Sequence, residues 1–314
     1  MTTAIATDLN KSKSKSERST SPTALIINRF FQHRAGVLGG AFLLLLIITC
    51  FCAPLIQSWI GHDPFEVNFF TRYQPVSAEF WLGSDELGRD VFLRLLYAGQ
   101  ISLAFGFVTA VFTAIVGTSL GIISGYFGGK VDGFIMRWAD FTLSLPVLPL
   151  LIVVAAIDLE KLGISEELAR SDAFTVGRLT VILCLFGWPL TARLVRSGTL
   201  SVREREYVKA AQGYGASSFR IITRHVLPNV LSPVIVATTM GIGLVILTEA
   251  ALSFLGFGIQ PPTPSWGNML TNAKESIWQS PTLAIFPGLA IVVTVMAFNF
   301  LGDALQDALD PKSK

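Results

Sequence analysis

The run Tyr-Val-Lys-Ala-Ala-Gln-Gly-Tyr-Gly-Ala-Ser-Ser-Phe-Arg-Ile-Ile-Thr-Arg-His-Val-Leu-Pro-Asn, residues 207–229, is polar and basic, and it sits between two apolar runs long enough to cross a bilayer. Tyr207, Ala210, Ala211 and Tyr214 fall at i, i+3, i+4 and i+7, a one-sided helical stripe, with Arg203, Glu204, Arg205 and Lys209 supplying charge around it. Gly213 and Gly215 are expected to end this helix, because glycine takes the positive φ that a helix C-terminus often needs. Ser217 can cap a second short helix through its hydroxyl, and Pro228 is expected to end that helix where the chain turns toward the next span. The small side chains of Ala210, Ala211 and Gly215 leave room for a partner's backbone. Such a loop reads as a docking surface; an amphipathic helix resting on lipid would carry the same pattern.

Outward from this loop, composition sets the class. Of 314 residues, 51% are hydrophobic and only 15% charged, against roughly 25% charged in an ordinary soluble domain. Mean hydropathy is +0.57. The chain is an all-α integral membrane protein, and at about 20 residues per crossing, roughly six spans use most of its length. That leaves no soluble catalytic domain. The net charge of +2 gives no reason to expect a nucleic-acid partner. Cys50, Cys52 and Cys184 lie in apolar runs and read as small buried hydrophobes, without the neighbouring ligands of a metal site.

Six apolar runs are expected to span, at residues 37–56, 101–123, 141–157, 174–195, 230–257 and 284–301. The organisation expected is a disordered polar tail over 1–24, a region with the first span over 25–57, an external loop over 58–100, a five-span core over 101–305 and a short tail over 306–314. The first run lacks a small-residue cleavage site and reads as a span that stays. Lys and Arg number 6 in the N-terminal tail, 2 between residues 125 and 140, 7 between 193 and 225 and 2 in the C-terminal tail. The alternate segments hold 3, 2 and 1, with Arg178 at the start of a span. The positive-inside rule therefore puts both termini and the 193–225 loop in the cytoplasm. Trp59, Trp81, Trp266 and Trp278 fall on the opposite side, where interfacial aromatics belong, although Trp81 could also pack inside a folded loop.

Ala210-Ala211, then Gly215, then Leu227-Pro228 at fixed spacing resembles the EAA loop of ABC importer permeases, the segment that forms the coupling helix against ATPase subunits. Lys209 stands where that family usually has Glu, and His225 where it usually has Ile. Residues 82–91 (Leu-Gly-Ser-Asp-Glu-Leu-Gly-Arg-Asp-Val), residues 94–103 and residues 261–270 (Pro-Pro-Thr-Pro-Ser-Trp-Gly-Asn-Met-Leu) are similar to the dipeptide/oligopeptide/nickel permeases. The long outer segment after the first span is like that of the C-type subunit. The resemblance implies a type I ABC importer permease fold and a heterodimer with a sister permease in a bacterial inner membrane. It further implies two cytoplasmic ATPases, an external substrate-binding protein, and alternating access driven through the coupling helix. It implies a coupling role for Tyr207, Lys209, Ala210, Ala211, Gly213, Tyr214, Gly215, His225, Leu227 and Pro228. Peptides are the implied cargo, with nickel chelates, glutathione or another small solute as alternatives.

The chain has no phosphate loop of its own: Gly129-Lys130 is followed by Val131 and lacks the leading glycine. ATP and Mg are therefore expected in the partner ATPases, and no cofactor or metal site is expected here. Gly117-Thr-Ser-Leu-Gly121 spells a hydrolase-like Gly-x-Ser-x-Gly, but His33, His62 and His225 all lie outside the expected spans, so no base is at hand for Ser119. Gly117, Gly121 and Gly125 instead share one helix face suited to close packing. A secondary transporter would need ionisable groups at mid-membrane, and Glu249 is the clear candidate; it either lines a path or is held as a structural element. In the outer segment, Asp85, Glu86, Arg89 and Asp90, in the turn context of Gly83 and Gly88, form either a solvated, locally paired loop or a cover over the external entrance. Pro261, Pro262 and Pro264 stiffen the other outer loop around Trp266, which could complete such a cover.

Overall fold

The computed structural model describes residues 22–157, 163, 165 and 171–309. The expected disordered tail lies outside these residues as far as 21, and helix α1 (Pro22–Gln32) begins where the expectation still placed tail. There follow α2 (Arg34–Phe51), α3 (Ala53–Ile60), α4 (Val91–Phe127), α5 (Gly129–Ser144), α6 (Val147–Ala155) and α7 (Asp172–Arg203). The rest comprises α8 (Glu206–Gly213), α9 (Ser218–Ile221), a π turn (Ile222–Val226), α10 (Leu227–Phe254), α11 (Trp266–Ser276) and α12 (Thr282–Leu309). Among the described residues no strand forms beyond one isolated bridge, Ser84 with Asp90.

Among the described residues five helices are long and apolar enough to cross a membrane: Arg34–Phe51, Val91–Phe127, Phe174–Arg203, Ser218–Phe254 and Thr282–Leu309. The expected third span at 141–157 is not one straight helix. Instead α5 and α6 meet at an 88° bend. Pro146 explains the break: the ring of a proline pushes the preceding residue out of the helical region, and Leu145 sits at φ −82°, ψ 140°. The segment 125–140, expected as a loop between spans, is helical on both sides of Gly128. Gly128 and Gly129 at φ +67° and +57° turn the chain back within two residues, which only glycine does at no steric cost.

The longest helices exceed the bilayer. At 1.5 Å per residue a 37-residue helix runs about 55 Å, well beyond a hydrocarbon core of about 30 Å. A helix of this length leaves turns outside the core; its first turn is capped by Asp90, which accepts Leu93 N–H at 3.0 Å, and follows directly on the 61–90 segment. Along its length α4 packs on α7 through the predicted glycine face. Gly117 lies against Thr191 and the Trp188 carbonyl, Gly121 against Ala192 and Val195, and Gly125 against Thr199 and the Arg196 carbonyl. A second core joins α2, α4, α10, α11 and α12 through Leu43, Cys50, Leu96, Ile246, Trp266 and Ile291. Side chains such as Leu44, Phe107, Phe112, Leu244 and Leu289 stay exposed on the spans, the apolar surface that lipid or a partner span would meet.

Candidate functional site

The loop at the Gly128 end of α4 is held by a set of arginine contacts and by one apolar core. Arg203 at the end of α7 donates from its guanidinium to the Tyr126 carbonyl at 2.9 Å, and Arg196 forms a two-pronged pair with Asp132 of α5, the Nη2 arm at 2.6 Å. Arg193 pairs with Asp140 one turn earlier in α7. These contacts fix α7 where it hands the chain to α8. Val208 of α8 is fully buried with Val202, Ile221, Val226 and Val230. With Val208 as the inward anchor, Tyr207, Ala210 and Tyr214 are exposed and Ala211 is half-buried, so the predicted stripe faces away from the protein. Tyr214 at 93% and Phe219 at 77% exposure are the most outlying aromatics of this loop.

Of the two expected helix breakers, Gly213 is the last helical residue and Gly215 makes the turn, at φ +79°. Ser217 caps the next helix as predicted, accepting Arg220 N–H at 3.4 Å. Pro228 does not end it. From Ser218 to Phe254 the chain is one 37-residue helix. The proline has no N–H, and its ring would crowd the carbonyl four residues back, so the ladder widens to a π turn over 222–226 in which Leu227 N–H reaches the Ile222 carbonyl. The loop and the following span are thus mechanically continuous. Tyr207 is tied to this helix, its ring 5.7 Å from that of His225, while Asn229 donates to the His225 carbonyl at 2.7 Å. Lys209 pairs within the chain, 3.0 Å from Glu204. That exposed contact holds the Glu204 carboxyl below the usual glutamate range, chiefly through the Lys209 hydrogen bond.

At the other end of α4 the outer segment is a folded cap. Gly83 and Gly88 take φ +83° and +79°, and a Cβ on Gly88 would overlap the Asn68 carbonyl. The charges of this turn are paired and, against the solvated alternative, Asp85, Arg89 and Asp90 are buried and Glu86 half-buried. Asp85 accepts Arg89 Nε at 2.7 Å and lies 3.5 Å from Arg94, and Glu86 reaches Arg89 at 3.4 Å. Asp90, besides capping α4, lies 3.3 Å from His62. Arg94, which sequence reading did not single out, sits beside this cluster because it lies one helical turn beyond Asp90.

Trp266 corrects the sequence expectation. It is 1% exposed and not interfacial: its indole N–H donates to the Leu95 carbonyl at 3.1 Å and its backbone N–H to the Ser102 hydroxyl at 3.2 Å. Hydropathy gives a tryptophan near a span end an interfacial place by default; here α11 folds back onto α4 and α10 and carries the ring inward. The expectation holds better for Trp59 and Trp278, which are largely exposed, while Trp81 packs against Trp59 and Phe92. Ser265 is a site residue that hydropathy does not mark; its signal is the capping-box pattern Ser265-x-x-Asn268, and both of its reciprocal bonds form. Glu249 is 1% exposed and held by Ser253 at 2.6 Å and Ser265 at 2.9 Å.

A cleft of about 620 Å³ runs between α4 and α10, apolar except for Thr118, Ser119, Thr238 and Thr239. Glu249 is not among its lining residues. Ser119 faces it without a histidine: His33 caps α2, His62 stacks on Phe80 and His225 lies beside Tyr207.

Comparison with known proteins agrees with this architecture. Residues 117–314 match the family described as binding-protein-dependent transport system inner membrane component, and residues 21–75 match the N-terminal TM domain of oligopeptide transport permease C. The glutathione transport system permease protein GsiD of Pectobacterium atrosepticum is 41% identical over 286 residues, 91% of this chain and 90% of the relative. The dipeptide transport system permease protein DppC of Alkalihalophilus pseudofirmus is 38% identical over 294 residues, 94% of this chain and 91% of the relative. With an all-helical membrane fold and matches that run nearly end to end, the chain belongs to the binding-protein-dependent transport system inner membrane components, as an ABC permease subunit of the peptide type.

Proposed function

We propose that this chain is the C-type half of a di- or oligopeptide importer in a bacterial inner membrane, with both termini in the cytoplasm. It pairs with a homologous sister permease, receives work from two ATPases that bind ATP and Mg, and takes cargo from an external binding protein. The observation that carries the reading is the outward stripe of Tyr207, Ala210 and Tyr214 on a helix seated by Val208 and joined to one continuous 37-residue helix. Apolar aromatics held rigidly on a polar loop are what a protein partner buries, and the continuity of Ser218–Phe254 turns a push at the loop into a tilt of a span. Relatives named for dipeptide and glutathione transport support a peptide cargo, glutathione being itself a tripeptide. The excess of Lys and Arg in the tails and the 193–225 loop supports the orientation.

A cysteine at Ala210, in a background without Cys50, Cys52 and Cys184, should crosslink to an ATPase subunit in membranes, and uptake should stop when the ATPases are deleted. Uptake that persists without them would make the protein a secondary transporter. Supplying the purified binding protein with dipeptides, longer peptides or glutathione then identifies the cargo.

A further inference from the structure

Glu249 lies in the last two turns of α10, where three helices meet at its carboxyl. Oε1 accepts the Ser253 hydroxyl from the next turn of α10 and the Ser265 hydroxyl from the N-cap of α11. Ser102 of α4 completes the polar group and receives the Trp266 backbone N–H. Oε2 has no hydrogen-bond partner.

The two serines explain why an acceptor belongs here. Ser253 already accepts Ile259 N–H at 2.9 Å, and Ser265 accepts Asn268 N–H at 3.2 Å. Each hydroxyl thus accepts one backbone N–H and has one proton to place in a buried site. A carboxyl oxygen takes both protons and fixes both rotors, so the α10 end, the 254–259 turn and the α11 start share one network. Packing makes the joint tight: a Cβ on Gly267 would stand 2.6 Å from Ala250 Cα and 2.8 Å from Ser253 Cβ. At its far end α11 meets the outer cap, where Ser276 and the Tyr73 hydroxyl are 3.0 Å apart.

We propose that Glu249 is the positioning residue that locks the outer half-helix α11, and the cap that rests on it, to the long helix Ser218–Phe254. Movement imposed at α8 is then delivered to the opposite side of the membrane as a movement of α11. This rests on reading α8 as the ATPase-docking helix and adds the element that receives the stroke. It gives the intramembrane acid a role in transmission.

The test uses the complete transporter in lipid nanodiscs with its sister permease, ATPases and binding protein, comparing Glu249→Leu, Glu249→Gln and Ser265→Ala. Three quantities are read: basal ATP hydrolysis, its stimulation by cargo-loaded binding protein, and hydrogen exchange of the α11 amides. Glu249→Leu strands two buried hydroxyl protons and should speed α11 exchange about tenfold and remove most of the stimulation, while basal hydrolysis persists. Glu249→Gln keeps an acceptor oxygen at the Oε1 position and places its amide where Oε2 has no partner, so it should restore both quantities. Ser265→Ala should act in the same direction as Leu. If Leu prevents assembly, the other two variants decide: wild-type exchange and stimulation in Ser265→Ala, or a Gln variant uncoupled while its α11 exchange stays slow, overturns the lock. Failure of the α8 reading is separate, since it would show as wild-type transporter that does not bind the ATPases, with α11 exchange still reporting on the joint.

Discussion

Gly121 faces Ala192 so closely that a Cβ there would lie 2.6 Å from the Ala192 carbonyl oxygen, and only 2.8 Å from Val195 Cβ. Neither neighbour can give way, one being backbone and the other β-branched on a helix. The α4–α7 contact is set by this approach, repeated a turn away at Gly117 and Gly125. Gly121→Leu should therefore force the helices apart and destabilise the protein by about 1–3 kcal/mol. A lowered melting temperature in detergent checks this; wild-type stability would mean that the α4–α7 interface has room for the larger side chain.

Arg89 is 8% exposed and bound to Asp85. On sequence alone, with Arg89 in a cover over the external entrance, Arg89→Glu is expected to weaken binding-protein docking or gating without loss of assembly. Burial changes the expectation: the substitution sets a third carboxylate against Asp85 and Glu86, and breaking a buried pair costs about 3–5 kcal/mol. Limited proteolysis should cut the cap within residues 61–90 in the variant. Intact caps with reduced uptake would restore the gating interpretation.

Val208 and Tyr214 separate seating from docking. Val208→Asp buries a charge among Val202, Ile221 and Val226 and should detach α8, seen as protease cleavage between residues 203 and 217. Tyr214→Ala touches an exposed ring and should leave stability within about 0.5 kcal/mol of wild type. It should nevertheless weaken ATPase co-purification severalfold, as loss of an aromatic anchor does at other interfaces. Wild-type ATPase recovery with both variants would remove α8 from the docking surface.

The Glu204–Lys209 contact predicts a pH signature. Because the folded carboxyl titrates below its unpaired value, the stability it contributes is present above that value and is lost as pH falls through the lowered one. Lys209→Met should return Glu204 to the ordinary glutamate range in an NMR titration of the loop. An unchanged titration would mean the two side chains do not pair in solution. Both groups are well exposed, so added salt should weaken the contact in wild type.

Much of the site was legible where local chemistry decides it. The stripe at 207, 210, 211 and 214, the Ser217 cap, the turn at Gly215 and the close glycine face on α4 each follow from spacing and backbone preference. The misreadings share one cause. Pro228 reads as a stop, yet a π turn absorbs it because Val226 and Val230 are buried on both sides of it. Trp266 reads as interfacial, yet α11 folds inward. Asp85 and Arg89 read as a loop that could be solvated, yet neighbours distant in sequence, Asn68 and Thr71 among them, close over that turn.

By itself the sequence determined that this chain lives in a bilayer, roughly where it crosses, and that it carries a basic loop with helix-forming and turn-forming residues at fixed spacing. Those properties depend on composition and on periods of a few residues, which the chain states directly. Only the tertiary structure decided that the loop and its span are one helix, that the outer charges are interior, and that Glu249 joins α10 to α11. Each of these depends on which surfaces meet, and segments far apart in sequence meet only after the helices have packed.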